Sequence, residues 1–78
     1  MKKDSIVFIT GSKSSLPFIN EAKKRGFKAI VIDNDPECVS KAIADRFALF
    51  SAASEGLILD YLKGVSDEFE IKGIMTYS

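Results

Sequence analysis

Two uninterrupted apolar runs, Ile6-Val7-Phe8-Ile9 and Ala29-Ile30-Val31-Ile32, constrain this chain more than any other feature. Both are rich in β-branched residues, and neither alternates with polar positions. A strand of that kind needs apolar cover on both faces, which a parallel sheet flanked by helices provides. Gly11 ends the first run, and Ser14 or Ser15 is placed to cap a helix with Pro17 in its first turn. Leu16, Ile19 and Ala22 then recur at helical spacing, with Phe18 beside them. Lys23, Lys24 and Arg25 fall where the helix dipole favours cations, and Gly26 suits the residue just past the helix end. The three cations read as a solvated helix end; phosphate binding is the alternative.

The second strand runs from Phe27 to Asp33. Asp35, Pro36 and Glu37 then form a helix-start signal, which predicts a short helix over 36–44 with Val39, Ala42 and Ile43 on one face. Arg46 to Phe50 reads as a third strand, and its brevity and alternation suit a sheet edge. Ser54 is placed to cap a third helix. On it Ile58, Tyr61, Leu62 and Val65 follow the i, i+3, i+4, i+7 pattern, with Leu57 and Phe69 adding to the apolar side. Gly64 leaves that helix's end open. Ile71 to Tyr77 reads as a fourth strand. Alternation of this kind predicts one α/β domain over residues 1–78, a three-layer Rossmann-like parallel sheet. The expected strand order is 3-2-1-4, with helices on both faces.

Composition excludes several functions. Lys plus Arg and Asp plus Glu are 11 each. The chain therefore lacks the basic excess of a nucleic-acid arm or a membrane-surface patch. Cys38 is the single cysteine and there is no histidine. An intrachain disulfide, a Cys/His zinc cluster and histidine acid–base catalysis are all ruled out within this piece. The apolar stretch near the N-terminus is too short for a signal peptide or a membrane span, so a cytoplasmic location is expected. At 78 residues the core is marginal. The fourth strand would be an apolar edge, which invites pairing. The chain is accordingly expected to be a domain of a longer protein, or to assemble through that edge.

In open α/β sheets, ligands bind beyond the carboxyl ends of the strands where the strand order reverses. For order 3-2-1-4 that point lies between strands 1 and 4. It gathers the turn Gly11, Ser12, Lys13, Ser14 and Ser15 with Thr76, Tyr77 and Ser78, and places Asp33 next to the turn. A dinucleotide fingerprint needs three glycines, but Lys13 and Leu16 stand at the second and third positions after Gly11. A Walker A loop needs glycine where Ser12 and Val7 stand. What remains is a generic anion site: helix N-terminal N–H groups, the hydroxyls of Ser12, Ser14 and Ser15, and the Lys13 ammonium. The alternative is a solvated turn whose serines cap the helix. Asp33 suits either a ribose hydroxyl pair or an Asx turn leading into Asn34 and Asp35. Asp33 and Asp35 would attract Mg²⁺ only with further acids or a substrate phosphate. Cys38, with no histidine partner, reads as a buried or spectator thiol.

Four stretches in order resemble a known family. They are Ile6 to Ser15; Gly26-Phe27 leading to Val31-Ile32-Asp33-Asn34-Asp35-Pro36; Lys41-Ala42-Ile43-Ala44-Asp45-Arg46-Phe47; and Lys72-Gly73-Ile74-Met75-Thr76-Tyr77-Ser78. Together, over the whole chain, they resemble the N-terminal pre-ATP-grasp domain of ATP-grasp ligases, a group that includes the carbamoyl-phosphate synthase large subunit and the biotin and purine carboxylases. Only Gly11 stands in the first turn, which is often glycine-rich in that family. The resemblance implies a substrate-side domain of an ATP-dependent carboxylate–amine ligase, inert alone and binding no cofactor itself. ATP and Mg²⁺ would be held by later domains of the same chain or by a partner subunit, joined through the strand-4 edge. A small-molecule carboxylate would be the substrate. The other functions to weigh are a stand-alone nucleotide or dinucleotide sensor and a scaffold domain without a ligand.

Overall fold

The structure is a computed structural model, and it describes residues 1–10, 12–51 and 53–76. Strand β1 (Lys3–Ile9) leads through a 3₁₀ turn (Lys13–Ser15) into helix α1 (Leu16–Lys24) and strand β2 (Lys28–Asp33). A second 3₁₀ turn (Val39–Ala42) joins β2 to strand β3 (Arg46–Leu49), and helix α2 (Glu55–Val65) leads on to strand β4 (Phe69–Thr76). The four strands form one parallel sheet in the order β3-β2-β1-β4, the order expected.

The apolar runs occupy the middle of the sheet. Ala29, Ile30, Val31 and Ile32 are all fully buried. Alternate residues feed two separate cores. Val7, Ile30 and Ile32 pack with Ile58, Tyr61, Leu62 and Val65 of α2. Phe8, Ala29 and Val31 pack with Ile19 and Ala22 of α1. The period of two along a central strand thus places one helix on each face.

Helix α1 ends as its sequence suggests. Gly26 has φ +91, Phe27 N–H reaches the Ala22 carbonyl at 3.0 Å, and Gly26 N–H reaches that of Lys23 at 3.0 Å. That bond pair is a Schellman closure. The basic run divides three ways rather than forming one solvated end. Lys23 turns inward to the Ile43 carbonyl (2.8 Å) and Asp45 (3.3 Å), Arg25 pairs with Glu21 (2.8 Å), and Lys24 is exposed.

Three local expectations need correction. The helix over 36–44 is absent; Asp35 accepts the Glu37 N–H at 2.9 Å as a cap would, but the chain then makes one turn and a 3₁₀ segment over 39–42. The path is set at its far end, where Asp45 must meet Ala29 (Asp45 N–H to Ala29 carbonyl, 2.8 Å) before the short β3 begins. Ser15 and Ser54, at the N-termini of α1 and α2, make no side-chain capping bond to their helices. Leu57 faces outward, 53% exposed, and Phe69 belongs to β4 rather than to the helix. The end of α2, left open at Gly64, falls at Val65.

β1 and β4 do not pair in simple step. Lys3 meets Phe69, Asp4 meets Glu70 and Ser5 meets Ile71, but Ile6 then meets Gly73. Lys72 is the extra residue of a bulge. At the amino end of the sheet, the Glu68 carboxylate takes Lys3 at 3.2 Å and Arg46 at 2.7 and 2.9 Å. The bonds from Lys3 and Arg46 hold its carboxyl below the ordinary carboxylate range. Charge therefore ties the amino ends of the strands together, and the carboxyl ends carry the exposed polar turn. No helix among the described residues is long and apolar enough to cross a membrane.

Candidate functional site at the carboxyl ends of the strands

Ile9 pairs with Ile32 on one side and with Thr76 on the other. The carboxyl ends of β1, β2 and β4 therefore stand level, at the point where the strand order reverses. Thr10 extends the ladder by one bond, its N–H reaching the Ile32 carbonyl at 2.8 Å. Its backbone then turns left-handed, with φ +77. Such a conformation is unusual for a β-branched residue and is seen mainly where surrounding bonds hold it. The Ser15 hydroxyl supplies one of those bonds, donating to the Thr10 carbonyl at 3.1 Å.

Ser15 is thus fully buried and committed to the turn itself. Its N–H closes the 3₁₀ turn on the Ser12 carbonyl at 2.8 Å. Ser12, Lys13 and Ser14 are exposed. Three of the predicted turn residues therefore present hydroxyl and ammonium groups at the start of α1, and the fourth holds their backbone. Gly11, Tyr77 and Ser78 lie outside the described residues. Thr76 is exposed at the end of β4, beside Ile9.

Asp33 lies at the end of β2, with its carboxylate drawn into local structure. Its Oδ1 accepts the Asp35 N–H at 3.0 Å, an Asx turn, and its Oδ2 lies 3.6 Å from the Cys38 thiol. The Asp35 Oδ1 is likewise used by Glu37. Both carboxylates thus serve turns, and among the described residues no group of three or more acids, cysteines or histidines converges as a metal site would need. Cys38 is buried, with its sulfur 3.3 Å from the Ser40 hydroxyl. The 3₁₀ turn at Lys13–Ser15 packs against the one at Val39–Ala42, so the β2–β3 connection supports the back of the crevice.

Sequence reasoning placed the reversal of strand order between β1 and β4, where the structure has it. It missed Thr10 as the pivot of the turn, because threonine carries no signal for a left-handed backbone. It also missed an apolar groove of about 320 Å³ between α1 and β4, lined by Ile6, Phe18, Phe27, Gly73 and Met75 among others. Phe18 and Ile74 are about half exposed beside it, which no sequence pattern announces. No model of a known protein family matches the chain, and no curated protein matches it in sequence.

Proposed function

We propose that this chain is the substrate-side, N-terminal domain of an ATP-dependent carboxylate–amine ligase of the ATP-grasp superfamily. The observation that carries the reading is the level meeting of the β1, β2 and β4 ends, with Ser12, Lys13 and Ser14 exposed there at the start of α1. An ammonium, two hydroxyls and a helix N-terminus suit one end of a carboxylate. The resemblance of the four stretches to pre-ATP-grasp domains gives that anion its class.

ATP and Mg²⁺ are assigned to other domains, as the resemblance implies. The turn lacks the glycines that let backbone approach a pyrophosphate, and the Asp33 and Asp35 carboxylates are engaged with N–H groups. On this reading nucleotide and metal belong to later domains, reached across the crevice and along the Gly73–Thr76 part of the β4 edge. The complete enzyme would convert the carboxylate to an acyl phosphate and pass its acyl group to an amine. The part of this chain is to bind and orient the carboxylate through Lys13 and the turn that Thr10 and Ser15 hold.

Amide NMR on the 78-residue chain, titrated with bicarbonate, acetate, succinate, ATP, AMP and NAD, tests this. Carboxylates should shift Ser12 to Ser15 and Thr76 weakly, in the millimolar range, and Lys13→Ala should abolish the shifts. ATP should neither bind tightly nor be hydrolysed. Micromolar binding of ATP, AMP or NAD would replace the reading with a nucleotide sensor. Silence toward every compound would replace it with a scaffold domain.

A further inference from the structure

β4 is an outer strand whose hydrogen-bonded neighbour is β1. It carries apolar side chains toward its carboxyl end, and Ile74 is about half exposed. An edge of that kind is a template for adding another strand. Lys72 interrupts the template, because pairing with β1 passes from Ile71 directly to Gly73.

The consequence is visible in where the side chains go. Phe69 and Ile71 pack into the core beneath α2, whereas Met75 packs into the core beneath α1 and Gly73 lines the groove on that same side. Residues two apart in a regular strand share a face. β4 therefore changes face at Lys72. A regularly alternating strand laid along this edge keeps step with 69–71 or with 73–76, but not with both. A second β4 brought up antiparallel about a two-fold axis, with 69–71 of each copy opposite 74–76 of the other, sets Lys72 against Gly73. Regular pairing then survives only between 69–71 and 74–76. Lys72 also places a charge inside Ile71-Lys72-Gly73-Ile74-Met75-Thr76, which otherwise is an uncharged window of the kind that aggregates as β-structure.

The β1 pairing itself has no use for the extra residue. Removing it would leave Ser5 opposite Ile71 and Ile6 opposite Gly73, every partner and every face unchanged. We propose that the Lys72 bulge is an edge guard that keeps β4 from being extended by strands of other copies of this chain. The proposal concerns pairing between copies of the 78-residue chain and needs no ligand at the strand ends.

Sedimentation velocity on the wild type, on Lys72→Gln and on a deletion of Lys72 tests it, with far-UV circular dichroism to follow the fold. The wild type and Lys72→Gln, which both keep the bulge, should remain monomeric. The deletion should keep the wild-type spectrum and move to dimer or higher mass at the same concentrations. Adding Ile74→Lys to the deletion should return the monomer. A deletion variant that is folded and monomeric would overturn the proposal. So would one that is unfolded, which would make the bulge a requirement of the sheet. Association of Lys72→Gln equal to that of the deletion would assign the effect to charge rather than register. Wild-type association that Ile74→Lys abolishes would show the edge to be unguarded.

Discussion

Asp45 and Ala29 bind each other twice: the Asp45 N–H donates to the Ala29 carbonyl at 2.8 Å, and the Ala29 N–H donates to the Asp45 carboxylate at 2.8 Å. The clip joins the start of β3 to the start of β2, and Lys23 ties it to the end of α1 at 3.3 Å. Ala29 is fully buried. Asp45→Ala therefore removes a partner from a buried N–H, and urea unfolding should show a loss of about 2 kcal/mol. Asp45→Asn keeps an acceptor oxygen and should recover part of that.

The same residue gives the fold an acid dependence. Burial pushes the Asp45 carboxyl up, but the Ala29 N–H and the Lys23 ammonium outweigh it, and its pKa lies below the ordinary value. A depressed folded pKa contributes stability that is complete above the unfolded pKa and is lost as pH falls through the folded one. Between about pH 5 and pH 2 the wild type should lose more stability than Asp45→Asn. Glu68, also depressed, is present in both proteins and drops out of the comparison. Equal acid sensitivity of the two would refute the clip.

Gly26 closes α1 with φ +91, and a Cβ added there would meet nothing within 4 Å. Its replacement therefore carries only the conformational cost of a left-handed L-residue. Gly26→Ala should destabilise by about 1–2 kcal/mol, and Gly26→Asn by less, because asparagine tolerates that region better. Thermal unfolding of the two variants checks the order.

The strands and their order were legible because they follow from patterns the chain states locally: two apolar runs and one alternation of strand with helix. The bulge was not. Phe69, Ile71, Gly73 and Met75 alternate as though they lined a single face, and only the pairing with β1 divides them between two cores. The segment 36–44 carries a sound helix start, but Asp45 is anchored to Ala29, 16 residues away in sequence, and that tie decides the path. The meeting of the β1 and β4 ends at the reversal of strand order was legible through topology. The division of labour within it was not, because nothing local distinguishes buried Ser15 from exposed Ser12 and Ser14.

Ile19 and Leu57 separate helical spacing from actual burial. Ile19 is fully buried beneath α1, whereas Leu57 is 53% exposed on α2. Ile19→Ala should cost about 3 kcal/mol, a large share of the stability of so small a domain. Leu57→Ala should change stability by less than about 0.5 kcal/mol. A large loss at Leu57 would place α2 in a different rotation from the one described.

Thr10 offers the most direct test of the turn that the candidate site depends on. Its φ of +77 is held between the Ile32 carbonyl, which takes its N–H, and the Ser15 hydroxyl, which binds its carbonyl. In an ordinary extended position alanine is more stable than glycine by about 0.5–1 kcal/mol, because glycine gains more freedom on unfolding. At Thr10 the left-handed backbone penalises alanine by about 1–2 kcal/mol and glycine not at all. Both substitutions remove the threonine side chain, so its contacts cancel between them. Thr10→Gly should therefore be more stable than Thr10→Ala by about 0.5–1 kcal/mol, an inverted order that thermal unfolding resolves. If alanine proves the more stable, Thr10 is not held left-handed, and Ser12 to Ser15 are not presented as described.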